Sequence, residues 1–207
     1  MIFKNHARNR KEVILDLDSK ILVIQIPKTG STSVLNSFMR NHPEKVRNFN
    51  CYRHEGIEYF NEQIKDLNRY DVYAMIRNPI AQSTSYYVHT FRRKENKRYS
   101  GNIYDEKNID IFIESCIKKR NAHLIQSRYI TINGKIPIFV KVFKFEDGMN
   151  DFISYLNEKH NLQLKTIHSN KLQDYDSNKI QTYNFKRSIE KYMEEEFTKL
   201  NYNRNEF

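Results

Sequence analysis

The residues best suited to chemistry in this chain are Pro27-Lys28-Thr29-Gly30-Ser31-Thr32-Ser33. An apolar strand, Ile21 to Ile26, leads into them, and Val34, Leu35 and Phe38 follow at the spacing of one helix face. A strand, a glycine turn and a run of hydroxyls opening a helix make an anion site. Backbone N–H groups at a helix N-terminus point toward the ligand, and the helix dipole favours negative charge there. Gly30 permits close backbone approach, and Lys28 adds a mobile point charge. The segment is not a Walker A loop, which carries its lysine after the second glycine. Here Lys28 precedes Gly30.

A second constellation begins with the apolar strand Val72 to Ile76 and continues Arg77-Asn78-Pro79 into a helix carrying Ser85. A guanidinium at that strand end can grip a phosphate bidentately. The two motifs, in this order, resemble those of sulfotransferases that use 3′-phosphoadenosine 5′-phosphosulfate (PAPS). The first is similar to their 5′-phosphosulfate loop. The second is similar to their 3′-phosphate motif, Arg-(Asp/Asn)-Pro followed by a serine eight residues after the arginine. Val140 to Glu146 resembles the family's late strand ending in Phe-Glu, and Phe197 to Tyr202 its Phe-x-x-Phe-Gly-Tyr ending. The pattern is most similar to the carbohydrate branch that includes the heparan 2-O-enzymes. Where the family has a second basic residue, Arg-Asp-Pro-x-x-Arg, this chain has Gln82.

The resemblance implies transfer of a sulfuryl group from PAPS to an acceptor hydroxyl, with a carbohydrate as the acceptor class. Lys28 would neutralise the departing bridge oxygen, and Thr29, Gly30, Ser31, Thr32 and Ser33 would cradle the phosphosulfate. Arg77 and Ser85 would hold the 3′-phosphate. No divalent metal is expected, because fewer charges crowd the reacting centre than in ATP. In the carbohydrate branch a histidine or glutamate between the two motifs takes the acceptor proton. Tyr52-Arg53-His54-Glu55 offers both. An imidazole, with an ordinary pKa of about 6.5, suits a general base at neutral pH. His54 is the first choice and Glu55 the second, with His42 and His89 as further candidates.

The elements that must position these groups follow from periodicity. Short strands are expected at Val13 to Leu17, Ile21 to Ile26, Asn48 to Tyr52, Val72 to Ile76 and Ile136 to Phe145. Helices are expected from about Ser31 to Arg40, Ile57 to Leu67, Ile80 to about Lys97, Ile109 to Lys119, from Phe152, and from about Lys179 to Leu200. His42-Pro43 stops the first. In the last, Tyr183, Ile189, Tyr192, Met193, Phe197 and Leu200 are core candidates. Alternating strands and helices predict an α/β fold with a mainly parallel central sheet covered on both faces. The family implies a P-loop-like, three-layer version of it. Ligands in such sheets sit at the carboxyl ends of strands.

The 207 residues carry a net charge of +10 and five glycines, with no Pro/Gly/Ser-rich linker, repeat or heptad run. A single domain over residues 1–207 is expected. No apolar run is long enough to span a bilayer, and Met1 to Arg10 lacks the apolar core of a signal peptide. Membrane-anchored relatives of the Golgi type set the contrast, so the expectation is a soluble cytoplasmic protein. Cys51 and Cys116 read as reduced thiols. The basic runs Arg92-Arg93-Lys94, Lys97-Arg98 and Lys118-Lys119-Arg120 come with no nucleic-acid-binding motif. They read as solvated faces or as steering for an anionic cofactor or acceptor. Two rival classes stand beside the transferase. A P-loop kinase or NTPase needs a lysine after the loop glycine and an acidic metal ligand after a later strand. A non-catalytic basic anion-binding module would explain the charge but not the two ordered motifs.

Overall fold

The structure is a computed structural model, which describes residues 11–49, 51, 53–93, 98–119, 121–167 and 175–203. The strands are β1 (Glu12–Asp16), β2 (Ile21–Ile24), β3 (Val46–Asn48), β4 (Asp71–Ile76) and β5 (Val140–Lys144). The helices are α1 (Ser31–Asn41), α2 (Ile57–Gln63), α3 (Pro79–Phe91), α4 (Glu106–Lys119), α5 (Ser127–Ile130), α6 (Met149–His160), α7 (Ser177–Ile180), α8 (Tyr183–Tyr192) and α9 (Glu194–Lys199). The described residues gather into two compact units. One takes residues 11–75 and 128–167, the other 76–127 and 175–203.

The first unit holds the sheet, in the order β3-β1-β2-β4-β5. Its class is α/β, as expected, but the sheet is mixed rather than mainly parallel. β1 pairs antiparallel with both β2 and β3, and β2 pairs parallel with β4, Ile24 opposite Ala74. The reason is the connection. Only residues 17–20 join β1 to β2, enough for a hairpin, whereas a parallel partner needs a crossover of a dozen residues or more. β2 and β4 are linked by such a crossover, so both leave the sheet at the same edge.

One sheet face presents Ile14, Ile21, Val23, Tyr73 and Met75. Against it pack Val34, Leu35 and Phe38 of α1 and Phe152, Ile153 and Leu156 of α6. The intervening residues Val13, Leu15, Leu22, Ile24, Val72 and Ala74 are buried as well, so both faces of the central strands are covered. The Asp16 carboxylate closes the β1–β2 turn by accepting from the N–H groups of Asp18 (3.1 Å) and Ser19 (3.3 Å), and it pairs with the Lys45 ammonium. Burial pushes the Asp16 pKa up, but the hydrogen bonds from Lys45 and Ser19 and the Lys45 charge outweigh it and hold it at about 2.

In the second unit α8 packs on α3 and α4, with Tyr87, Phe112 and Phe185 fully buried. The single long C-terminal helix is replaced by α7, α8 and α9. The Thr182 hydroxyl caps α8 by accepting from the Phe185 N–H, and Met193 departs from helical geometry between α8 and α9. Ile189, Met193, Phe197 and Leu200 are buried as expected, but Tyr183 is 73% exposed. It occupies the first position of α8, before the apolar face begins.

Other boundaries shift modestly. α3 ends at Phe91, β3 lies at Val46–Asn48, and of the apolar run from Ile136 only Val140–Lys144 is strand. Asn50, Tyr52, Lys94, Lys97, Arg120 and the residues before Lys11 lie outside the described residues. Arg92, Arg93 and Lys118 are solvent-exposed, Lys118 paired with Glu114 one helical turn away. Neither thiol is in a disulfide, and burial pushes Cys51 up to about 11 and Cys116 up to about 12. No helix among the described residues is long and apolar enough to cross a membrane.

Candidate functional site

In the first unit the polypeptide leaves β2 through Gln25 and Ile26 into the turn 27–30. Lys28 adopts φ +66° and Gly30 φ +84°. A left-handed lysine is uncommon, and residues held there cluster at ligand clamps. Gly30 is the N-cap of α1, and its carbonyl accepts from the N–H groups of Ser33 (2.8 Å) and Val34 (3.2 Å). It has no side chain with which to cap the first turn, and that turn holds no acidic residue. The positive end of the helix dipole is therefore left uncompensated by the helix itself.

Gly30 is required for a second reason. A Cβ at this position would collide with the Met149 methyl and lie 3.0 Å from the Phe145 ring. The groups that approach the glycine backbone are side chains that follow β5. Among the loop hydroxyls, Thr29 is buried and donates to the Ile26 carbonyl (3.0 Å), so its hydroxyl braces the turn. Ser31 and Ser33 are buried and Thr32 is half-buried.

The structure brings the His54 segment to this loop. Gln25 is the joint. The His54 Nδ1–H donates to the Gln25 backbone carbonyl at 2.5 Å. The Arg53 guanidinium donates through Nε to the Gln25 Oε1 (2.5 Å) and through Nη2 to the Thr32 hydroxyl (3.1 Å). The Gln25 Nε2 donates to the Glu12 carbonyl on β1 (2.9 Å). A carbonyl accepts only, so the bond to Gln25 places a proton on Nδ1, and in the neutral ring Nε2 is then the unprotonated nitrogen. Arg53 is 7% exposed, so a buried cation stands beside the hydroxyls of α1. Gln25 and Arg53 escaped the sequence reading. The signal available was Arg53 adjoining His54, since a buried arginine seldom lacks a fixed partner.

His42 is engaged at both ring nitrogens. Nδ1 donates to Glu44 (3.1 Å) and Nε2 accepts from the Gln163 N–H (3.3 Å). That arrangement braces the end of α1 and leaves no basic nitrogen for proton transfer. His89 is exposed on α3 in the second unit. Glu55 is half-buried, next to His54.

In the second unit Arg77 is held through its backbone. The buried Gln126 amide accepts from the Arg77 N–H (2.8 Å) and donates to the Arg77 carbonyl (2.6 Å), as a neighbouring strand would. The Asn78 side chain caps α3 by accepting from the N–H groups of Ile80 (2.9 Å) and Ala81 (3.2 Å), with Pro79 in the first turn. Gln82 is fully buried and donates to the His123 carbonyl at 3.3 Å. It serves the packing of this turn where the family pattern has a cation. Ser85 is buried on α3, 6% exposed. Among the described residues no cluster of His, Cys, Asp and Glu could hold a metal ion.

No family model, curated protein or solved structure matches this chain.

Proposed function

We propose that this protein is a PAPS-dependent sulfotransferase acting on an acceptor hydroxyl, with a carbohydrate as the acceptor class. The observation that carries the reading is the hydrogen bond from His54 Nδ1 to the Gln25 carbonyl. It ties an imidazole, with Nε2 as its basic nitrogen, to the strand end that opens the Lys28 loop. A kinase loop of the Walker type has no use for an imidazole at that point.

In this reading the fold is a variant of the P-loop-like scaffold. The N-terminus of α1 and the Lys28 ammonium would receive the phosphosulfate, and the resemblance assigns the 3′-phosphate to Arg77 and Ser85. His54 Nε2 removes the acceptor proton as the acceptor oxygen bonds to sulfur. The sulfur–oxygen bond to phosphate breaks, and 3′,5′-bisphosphoadenosine departs with its new negative charge against Lys28. Arg53 supports the site from behind, holding Gln25 and Thr32 in place.

The test is thermal. With a chelator present, PAPS and 3′,5′-bisphosphoadenosine should raise the melting temperature, because ligand binding to the native state stabilises it by mass action. ATP and adenosine 5′-phosphosulfate should act far more weakly. Equal shifts from AMP and the bisphosphate would remove the 3′-phosphate site and the reading with it. A mass-spectrometric acceptor screen with labelled PAPS then identifies the sulfated product.

A further inference from the structure

Between α5 and β5 the first unit raises a knuckle that its own core does not use. Ile132 and Lys135 bracket an Asn-Gly hairpin turn, with bonds of 2.9 and 3.1 Å between their backbones. Asn133 (φ +51°) and Gly134 (φ +77°) give it the primed geometry that suits such hairpins. Glu58 braces the turn by accepting from the Asn133 N–H (3.1 Å). A second turn follows at once, closed from the Val140 N–H to the Pro137 carbonyl at 2.9 Å. Its apex is Ile138, 103% exposed, and Ile136 beside it is 39% exposed. No other described large hydrophobic side chain is as open as Ile138. A lone surface isoleucine needs no explanation. An isoleucine held at the apex of two closed turns, with a proline fixing the approach, is presented rather than merely left outside.

The charge around it gives the partner. From Ser127 to Lys144 the sequence holds Arg128, Lys135, Lys141 and Lys144 and no Asp or Glu, so the basic side chains outnumber the Glu58 carboxylate that accepts from the Asn133 N–H. Lys135 and Lys141 are exposed and each lies three residues from Ile138, the Lys141 ammonium resting over the Tyr155 ring at 3.7 Å from its centroid. Chain reach puts their backbones within about 11 Å of it, close to one Debye length at physiological salt. A convex apex this small cannot supply the roughly 800 Å² per partner of a stable protein interface. It does fit a fluid surface that admits a side chain anywhere and carries diffuse negative charge. We propose that the 132–139 knuckle docks the protein on anionic lipid bilayers, Ile138 entering the headgroup layer and Lys135 and Lys141 meeting the lipid phosphates. This is surface attachment and does not depend on the sulfotransferase reading.

Co-sedimentation of the full chain with vesicles tests it. Binding is expected to phosphatidylcholine vesicles containing roughly a third phosphatidylglycerol, to weaken with added salt, and to be absent on phosphatidylcholine alone. Ile138→Ser should lower the partition coefficient about tenfold with an unchanged melting temperature, since only an exposed apolar side chain is lost. Lys135→Gln and Lys141→Gln should each lower it about fivefold. The chain has no tryptophan, so Ile138→Trp supplies a single reporter whose emission should shift to the blue with anionic vesicles only. No binding to anionic vesicles, Ile138→Ser binding like the parent, or an unshifted Ile138→Trp would each overturn the proposal. So would self-association that is lost in Ile138→Ser without vesicle binding, which would make the knuckle a contact between copies.

Discussion

At the residue scale the decisive atoms are the two nitrogens of His54. With Nδ1 donating to the Gln25 carbonyl, the basic Nε2 is the proton acceptor in the proposed reaction. His54→Ala should lower turnover by on the order of 10²–10⁴ while PAPS affinity stays nearly intact. Single-turnover rates beside equilibrium binding of the bisphosphate check this. The contrast is Arg77→Ala, which should weaken donor binding by about 2–4 kcal/mol, the usual loss for a charged hydrogen-bonded pair. An active His54→Ala with a folded but inactive Glu55→Gln would hand the proton to the glutamate.

Gly30 makes a prediction independent of any activity. Alanine there must adopt φ near +84° and press on Phe145 and Met149. Gly30→Ala should destabilise by about 1–3 kcal/mol in urea denaturation, from the left-handed conformation and the overpacking together. Because the nearest atom is the mobile end of Met149, adding Met149→Ala should recover the packing part. An additive double mutant would deny that contact. That a glycine belongs at the strand-to-helix turn was legible from Lys28-Thr29-Gly30-Ser31. That Phe145 and Met149, more than a hundred residues away, press against it was not, because nothing local to the loop records a tertiary approach.

At the scale of elements, the salt link from Asp16 to Lys45 ties the β1–β2 turn to the segment entering β3. Asp16 sits at about 2 when folded against an ordinary value of 3.8. Its folded value is depressed, so its contribution is complete above about pH 4 and is lost as pH falls toward 2. The loss should be on the order of 2 kcal/mol. Urea melts at pH 5 and pH 3 should show the parent losing more stability than Asp16→Asn, and equal losses would refute the link.

The same scale explains where the sequence reading succeeded. α1 and α3 begin where they should because Gly30 and Asn78-Pro79 are local start signals, and His42-Pro43 ends α1 on schedule. Sheet direction was read from the alternation of strands and helices, although the short 17–20 connection already required an antiparallel hairpin. The C-terminal helix broke at Thr182 and Met193 because a side-chain cap and a packed methionine overrode a continuous apolar period. The links of Arg53 to Gln25 and of Gln126 to Arg77 join residues 28 and 49 positions apart, and no pattern in one sequence displays them.

At the scale of the whole molecule, each compact unit is assembled from two separated stretches of chain. The core of the first joins Ile14 and Phe38 to Phe152, Leu156 and Leu164. A chain truncated after Ser127 would lack β5 and α6, with them half of the layer packed on Ile14, Val23 and Tyr73, and also α7, α8 and α9 of the second unit. It should retain secondary structure by far-ultraviolet circular dichroism but lose the near-ultraviolet signal and cooperative melting. A truncated chain that melts as sharply as the parent would show that the remaining strands and helices suffice.

That interleaving also dictates how the protein emerges from the ribosome. At a translation rate of about 5–20 residues per second, the strand containing Ile14 waits roughly 8–30 seconds before Leu164 is synthesised. Throughout that interval α1 is its only native cover, and the part of the face that Phe152, Leu156 and Leu164 complete stays open. The hairpin of β1 and β2 forms early but stays a sticky, half-finished surface on the nascent chain. Slow codons before residue 164 would prolong that exposure, so yield in a cell should depend on holdase chaperones more than the stability of the finished protein would suggest.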